Sequence, residues 1–206
     1  MSTVSPETIE LWGGSLCVDF ANSVDYDAED RPLPAHEALH APGDLGRWAR
    51  RLGVSRGRGL LQVGDDEFAA ALALRADLYA VLAAVARDER PPAAALARIM
   101  DAYAEAAAAA SLTREDGSDS APRWRLDWPA RDPRRVRFAV AADAVALLGD
   151  PARLARLRRC PGRDCGWLFL DTSGRRRWCS MGACGSREKM RRMYERKRAE
   201  RSADHA

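Results

Sequence analysis

The residues best equipped for chemistry are four cysteines near the C-terminus, Cys160, Cys165, Cys179 and Cys184, spaced C-x4-C-x13-C-x4-C. Zinc takes four tetrahedral ligands. Two thiolate pairs on short turns bring their sulfurs to one point, and the segment between them returns the chain. Four protein thiolates leave no coordination position open for water, so the spacing points to one structural Zn2+ and not to a catalytic ion. Cysteines buried merely as small apolar residues would not be expected as two equally spaced pairs within 25 residues. The C-x-x-C spacing of redox dithiols is absent from the quartet. The fifth cysteine, Cys17, has no Cys or His near it in sequence and reads as core.

A second constellation, His36-Glu37-Ala38-Leu39-His40, fits H-E-x-x-H, in which two imidazoles one helical turn apart hold zinc and the glutamate activates water. Its context is poor. Pro34 and Pro42 confine it, and a third ligand would have to come from Asp65, Asp66 or Glu67. The expectation is an acidic surface turn, with a zinc metallohydrolase as the lesser alternative. No residue is assigned as catalytic.

The elements that must position these groups follow from periodicity. Ser15 to Asn22 alternates Leu16, Val18 and Phe20 like a half-buried strand. An acidic, proline-containing loop follows over 25–43, then Leu45, Trp48, Ala49 and Leu52 fall at helical spacing before Gly53. Two longer helices are predicted over about 66–88 and 92–111, then a polar loop over 111–122 and a strand through Trp124, Leu126 and Trp128. A helix over 136–148 and a short one from Pro151 through Leu157 lead into Cys160. Pro161-Gly162 makes a knuckle, Trp167 to Leu170 a strand, and Arg175 to Trp178 a second strand pairing back on it. The fold class is therefore mainly α with a few short β-strands, ending in a treble-clef-like finger of knuckle, hairpin and helix.

The 206 residues, 47% hydrophobic and 31% charged, exclude a collagen-like or wholly disordered chain. The longest apolar runs, such as Ala106 to Ala110 and Phe138 to Ala142, predict no membrane span, and the N-terminus lacks a signal-peptide pattern. A cytoplasmic, reducing location follows as the expectation, which disfavours disulfides. The formal charge of +3 hides an asymmetry. Residues 1–152 hold 17 Arg against 24 carboxylates, a balance of −7, whereas 153–201 hold 14 Arg and 2 Lys against 5, a balance of +11. The predicted units are accordingly an N-terminal domain over 1–152, a zinc finger over 153–201 and a tail over 202–206.

Residues after Cys184 are helix-permissive and strongly basic. Met190, Met193, Tyr194 and the stem of Lys197 form one narrow face able to pack on the zinc module, leaving the cations solvated. Such a concentration of like charge suits a polyanion. The candidate contacts to double-stranded DNA are Arg187, Lys189, Arg191, Arg192, Arg196, Lys197 and Arg198. An ordinary solvated helix with a Glu188–Arg192 pair, an RNA-binding role and a protein-interaction role are the alternatives. Trp167 and Trp178 could stack on bases, but their place beside the cysteine turns predicts that they brace the hairpin instead. The acidic first part could also cover the basic helix in one state.

Cys160 to Arg187, CPGRDCGWLFLDTSGRRRWCSMGACGSR, resembles the CGNR zinc finger, in which CGWLF(L/Y)DxS precedes WCSMxxCGNR. Ser186 stands in place of the signature Asn, and either residue caps a helix well. The run Gly14-Ser-Leu-Cys-Val-Asp19-Phe20-Ala-Asn22 and the stretch Leu45 to Leu52 resemble the ABATE domain usually found ahead of that finger. The resemblance implies a stress-responsive transcription regulator whose larger domain binds a small-molecule ligand and whose finger binds DNA, at the nucleoid of a bacterium. Trp12, Asp19, Asn22 and Trp48 are the candidate ligand-pocket residues, although core packing and turn capping account for them equally. A homodimer is expected, because so small a finger needs a second contact for specificity.

Overall fold

The computed structural model describes residues 4–55, 59–115 and 123–203. The segment read as an N-terminal strand is a helix, α1 (Leu16–Ala21). Its six residues are too few to show a helical period. Its first turn is satisfied from far along the chain, where the Asp143 carboxylate accepts from Cys17 N at 2.8 Å and from the Ser15 hydroxyl. Cys17, Val18, Phe20 and Ala21 are fully buried, so Cys17 is core as expected.

The expected loop over 25–43 contains an antiparallel pair, β1 (Val24–Tyr26) and β2 (Pro32–Glu37), with a bulge between Val24 and Asp25. Pro32 and Pro34 are tolerated because β2 pairs on one side only. The Asp27 carboxylate accepts from the N–H groups of Glu29 and Arg31 and shapes the connecting turn. Helix α2 (Pro42–Arg51) starts where Asp44 accepts from the N–H groups of His40 and Ala41, and it buries Leu45, Trp48 and Ala49.

Helices α3 (Asp65–Ala86), α4 (Ala93–Ala109) and, further on, α5 (Arg135–Leu148) pack on one another. Three carboxylates open α3, favourable at the positive end of its dipole. By length and composition this 22-residue helix is apolar enough to cross a membrane, as the central core helix of a packed domain also is, and it holds that core position here. It packs against α1, α4 and α5, and it carries Arg75 and Asp77, both buried and paired with Glu37 and Arg98. Between α4 and α5, Ser111 begins a strand and not a loop. β3 (Ser111–Glu115) pairs with β4 (Arg123–Asp127), the latter as predicted. Residues 116–122 lie outside the described residues.

Asp150 caps the short α6 (Pro151–Leu154) through the N–H groups of Ala152 and Arg153. Leu157, expected in that helix, instead starts β5 (Leu157–Arg159), which pairs antiparallel with β6 (Leu168–Leu170). A π-helical turn at Met181–Gly185 then runs into α7 (Ser186–Ala203). The main core gathers Val18, Leu78, Leu82 and Ala144 together with Leu157, Leu168 and Leu170, so the hairpin contributes to the same interior as the helices. A second cluster joins the four cysteines to Trp167, Phe169 and Trp178, with Trp12 packed against it.

Candidate metal centre and basic helix

The knuckle lies inside the hairpin. β5 delivers Cys160, whose N–H donates to Trp167 O at 2.8 Å, and Cys165 N donates to Gly162 O at 3.2 Å. Gly162 sits tightly, since a Cβ there would lie 3.1 Å from Cys184 Sγ and 3.1 Å from Cys165 Cβ and would press both ligand turns by a few tenths of an ångström. The predicted pairing of Arg175 to Trp178 does not form; the partner of β6 is β5, before the knuckle. The Asp171 carboxylate instead holds a turn, accepting from the Ser173 hydroxyl and from Arg176 N. Arg176 folds over the Phe169 ring at 4.4 Å and donates to the carbonyls of Trp178 and Cys179, which fixes the second ligand pair.

All four Sγ atoms lie within 4.8 Å of one another, with Cys165–Cys179 at 3.9 Å and Cys179–Cys184 at 3.5 Å. Sulfurs about 2.3 Å from a tetrahedral zinc are about 3.8 Å apart, so the cluster fits one structural Zn2+. The thiols compete for protons. Cys160, accepting from Cys165 and Cys179, is held far below the ordinary thiol value, whereas the same contacts push Cys165 up to about 12 and Cys179 further. One divalent cation shared by all four resolves that competition by taking each as thiolate. Two donors also face the sulfurs, Cys179 N towards Cys160 at 3.5 Å and the Arg187 guanidinium towards Cys184 at 3.6 Å.

The hairpin is joined to the preceding part by buried polar contacts. The Asn22 amide donates to Leu168 O at 2.8 Å and accepts from Leu168 N at 3.1 Å. Gly166 N donates to Tyr26 O, Gly166 O accepts from the Tyr79 hydroxyl, and Leu170 N donates to Gly13 O. A Cβ on Gly166 would lie 2.4 Å from the Tyr79 oxygen and 2.6 Å from Tyr26 Cβ. Trp167 donates to Asp25 at 2.5 Å, and Arg159 reaches Asp30 at 3.0 Å and the carbonyls of Asp27 and Ala28. Sequence reasoning missed the roles of Gly166, Tyr79 and Asp25; the Cys-Gly-Trp triplet was the one available signal for the first.

Of the four ligand-pocket candidates, Trp12 alone lines the cleft of about 490 Å³ beside the cysteines. Asn22 is committed to the β6 backbone. Trp48 is fully buried against Phe20, its indole N–H without a hydrogen-bond partner. Asp19 accepts from Gly13 N at 2.7 Å, and burial pushes its carboxyl up to about 6. The structure does not gather the four.

The H-E-x-x-H helix is not formed. His36 and Glu37 end β2, Glu37 pairs with Arg75 and caps Leu39 N, and His36 Nδ1 lies 3.0 Å from Asp25. Glu67 pairs with Arg137. Among the described residues the potential metal-binding group found is the cysteine quartet.

Trp167 and Trp178 are buried and brace the centre, as expected. The capping role expected of Ser186 differs. Ser180 caps the π turn through Ala183 N, while the Ser186 hydroxyl donates to the carbonyls of Gly182 and Ala183 and fastens the turn to α7. The narrow apolar face of α7 does not pack on the zinc module: Met190 is 44% and Tyr194 63% exposed. Arg187, Lys189, Arg191, Arg192, Arg196, Lys197 and Arg198 are all exposed. Arg191 and Arg192 pair with Glu188, as the solvated-helix alternative has it, and Arg196 pairs with Glu200. These pairs lie within the helix, so the acidic part does not cover these three arginines here. At 3.6 residues per turn, Arg187, Arg191, Tyr194, Arg198 and Arg201 share one stripe. Arg163 of the knuckle stands with Arg187 and Arg191 around a smaller cavity of about 240 Å³.

Two family models match. ABATE, described as "Putative stress-induced transcription regulator", covers residues 14–151, and the CGNR zinc finger covers 156–197. No curated protein matches the chain.

Proposed function

This chain belongs to the ABATE family and carries a CGNR zinc finger, and from that premise we propose that it is a cytoplasmic, non-enzymatic regulator of transcription whose helix α7 binds double-stranded DNA. The observation that carries the reading is the exposed stripe of Arg187, Arg191, Tyr194, Arg198 and Arg201 on a helix about 27 Å long. The pairs on α7 are exposed helical ion pairs, worth little in water, so exchanging Glu188 or Glu195 for a phosphate costs little. Zinc supplies rigidity here: Cys179 and Cys184 hold the π turn from which α7 starts, and Arg187 is steadied beside the Cys184 sulfur. Lys197 flanks the stripe, whereas Lys189, Arg192 and Arg196 lie on the opposite side of α7 and add to its overall charge. The burial of Trp167 and Trp178 favours duplex over single-strand reading, because neither indole is open for base stacking.

The test is titration of duplex DNA with the full zinc-loaded chain at two salt concentrations. Each phosphate contact contributes about 0.9 to the slope of log affinity against log salt. The variant Arg187→Ala/Arg191→Ala/Arg198→Ala should lower that slope by about 3 while zinc content stays at wild type. Salt-independent binding by the wild type, an unaffected variant, or better competition by single strands would each defeat the reading. Sedimentation of the complex reports whether two chains bind per site.

A further inference from the structure

The cleft of about 490 Å³ beside the cysteines has walls from both parts of the chain, and its size suits a small organic molecule. One wall is aromatic: the Trp12 and Trp167 rings meet at 5.5 Å and 54°, with Tyr26 beside them. Flat π faces of this kind favour a planar ligand, and a cationic one above a neutral one.

The polar lining has one dominant sign. Glu10 and Asp164 are exposed at the rim, and Asp25 is fixed by the Trp167 indole N–H on one oxygen and by His36 on the other. Each Asp25 oxygen keeps a lone pair for a donor in the cleft. Three of the four metal-site sulfurs, those of Cys165, Cys179 and Cys184, belong to residues of the same lining, and four thiolates outweigh one Zn2+ by two charges. Against these stand Arg187, already turned to the Cys184 sulfur, and the His36 imidazole, held against Asp25. The cleft is thus electronegative although half of it belongs to the basic part of the chain.

We propose that this cleft is a binding site for a planar aromatic cation, shared between the N-terminal part of the chain and the zinc finger. The inference depends on the zinc-loaded fold and not on DNA binding, so the two readings fail separately. The ligand stacks on the half-buried Trp12, which Trp167 backs, donates towards Asp25, and has its charge offset by Glu10 and Asp164. Because the cysteine turns form part of the wall, binding and zinc retention reinforce each other.

The probe is proflavine, titrated without DNA into the zinc-loaded full chain while indole fluorescence is followed. The expected result is saturable binding of one proflavine per chain, weakened about tenfold by Glu10→Gln/Asp164→Asn and by Trp12→Leu, with slower zinc loss to a chelator when proflavine is bound. The carboxamide pair is exposed, so its fold is kept and is checked by zinc content. The anion anilinonaphthalene sulfonate should not displace the probe. Absence of saturable binding, equal affinity in the carboxamide variant, displacement by the sulfonate, or unchanged zinc loss would overturn the proposal.

Discussion

The two halves of the zinc finger are built in opposite ways. From Leu157 to Asp171 the chain is largely buried, and β5, β6 and the Cys-Gly-Trp triplet bond to Asn22, Tyr26, Tyr79 and Gly13 of the preceding part. From Ser186 onward the chain is mostly exposed, Arg191, Arg192 and Arg196 pair with glutamates of the same helix, and Met190 and Tyr194 face solvent. The metal centre lies between them, taking Cys160 and Cys165 from the buried half and Cys179 and Cys184 from the turn that launches the exposed one. Zinc therefore does two tasks with one set of bonds. It completes an interior shared with the helical core, and it fixes the direction of the helix that starts beside Cys184.

The largest expected effect comes from removing the metal. Structural zinc contributes on the order of 10 kcal/mol to small domains. Because Leu157, Leu168 and Leu170 belong to the main core, chelation should lower the melting temperature of the whole chain in one cooperative transition. Calorimetry showing the finger melting by itself, with the remaining transition unmoved, would break the comparison.

Smaller effects should separate the halves residue by residue. Gly166→Ala forces a Cβ against Tyr79 and Tyr26, and Asn22→Ala leaves both polar groups of Leu168 without their side-chain partner. Each should cost about 3 kcal/mol in urea unfolding. Tyr194→Ala, on the exposed helix, should change stability by less than about 0.5 kcal/mol. Comparable losses at both ends would erase the distinction.

A pH experiment sharpens the buried side. The Asp19 carboxyl, pushed up to about 6 by burial, binds more protons folded than unfolded, so its share of stability falls as pH rises from about 4 to about 6 and is level above. Asp19→Asn keeps an acceptor for Gly13 N. It should match wild type near pH 4 and exceed it at pH 7, by on the order of 3 kcal/mol at most. Taking the difference between the two proteins cancels the opposite pH dependence of the zinc site.

Sequence alone revealed the centre and the charge asymmetry, because cysteine spacing and net charge are local properties. The helical pattern was legible where helix-forming runs were long and free of glycine and proline, as over α3 and α4. It misled at α1, a six-residue helix whose first turn is completed by Asp143 of α5. The partner of β6 was also hidden: β5 is three residues, two of them arginine, and nothing in Leu157-Arg158-Arg159 resembles a core strand until Leu157 is seen against Leu170. The candidate pocket failed for a related reason, since Asp19, Asn22 and Trp48 are polar or aromatic groups consumed by the backbone and the core.

Hydrogen–deuterium exchange on the zinc-loaded chain, with and without duplex DNA, tests the central claim most directly. The buried hairpin should be protected in both states, and DNA should add protection over the knuckle and residues 186–203. New protection over the helical core with α7 unchanged, or a hairpin that exchanges as fast as α7 in the free protein, would contradict the account.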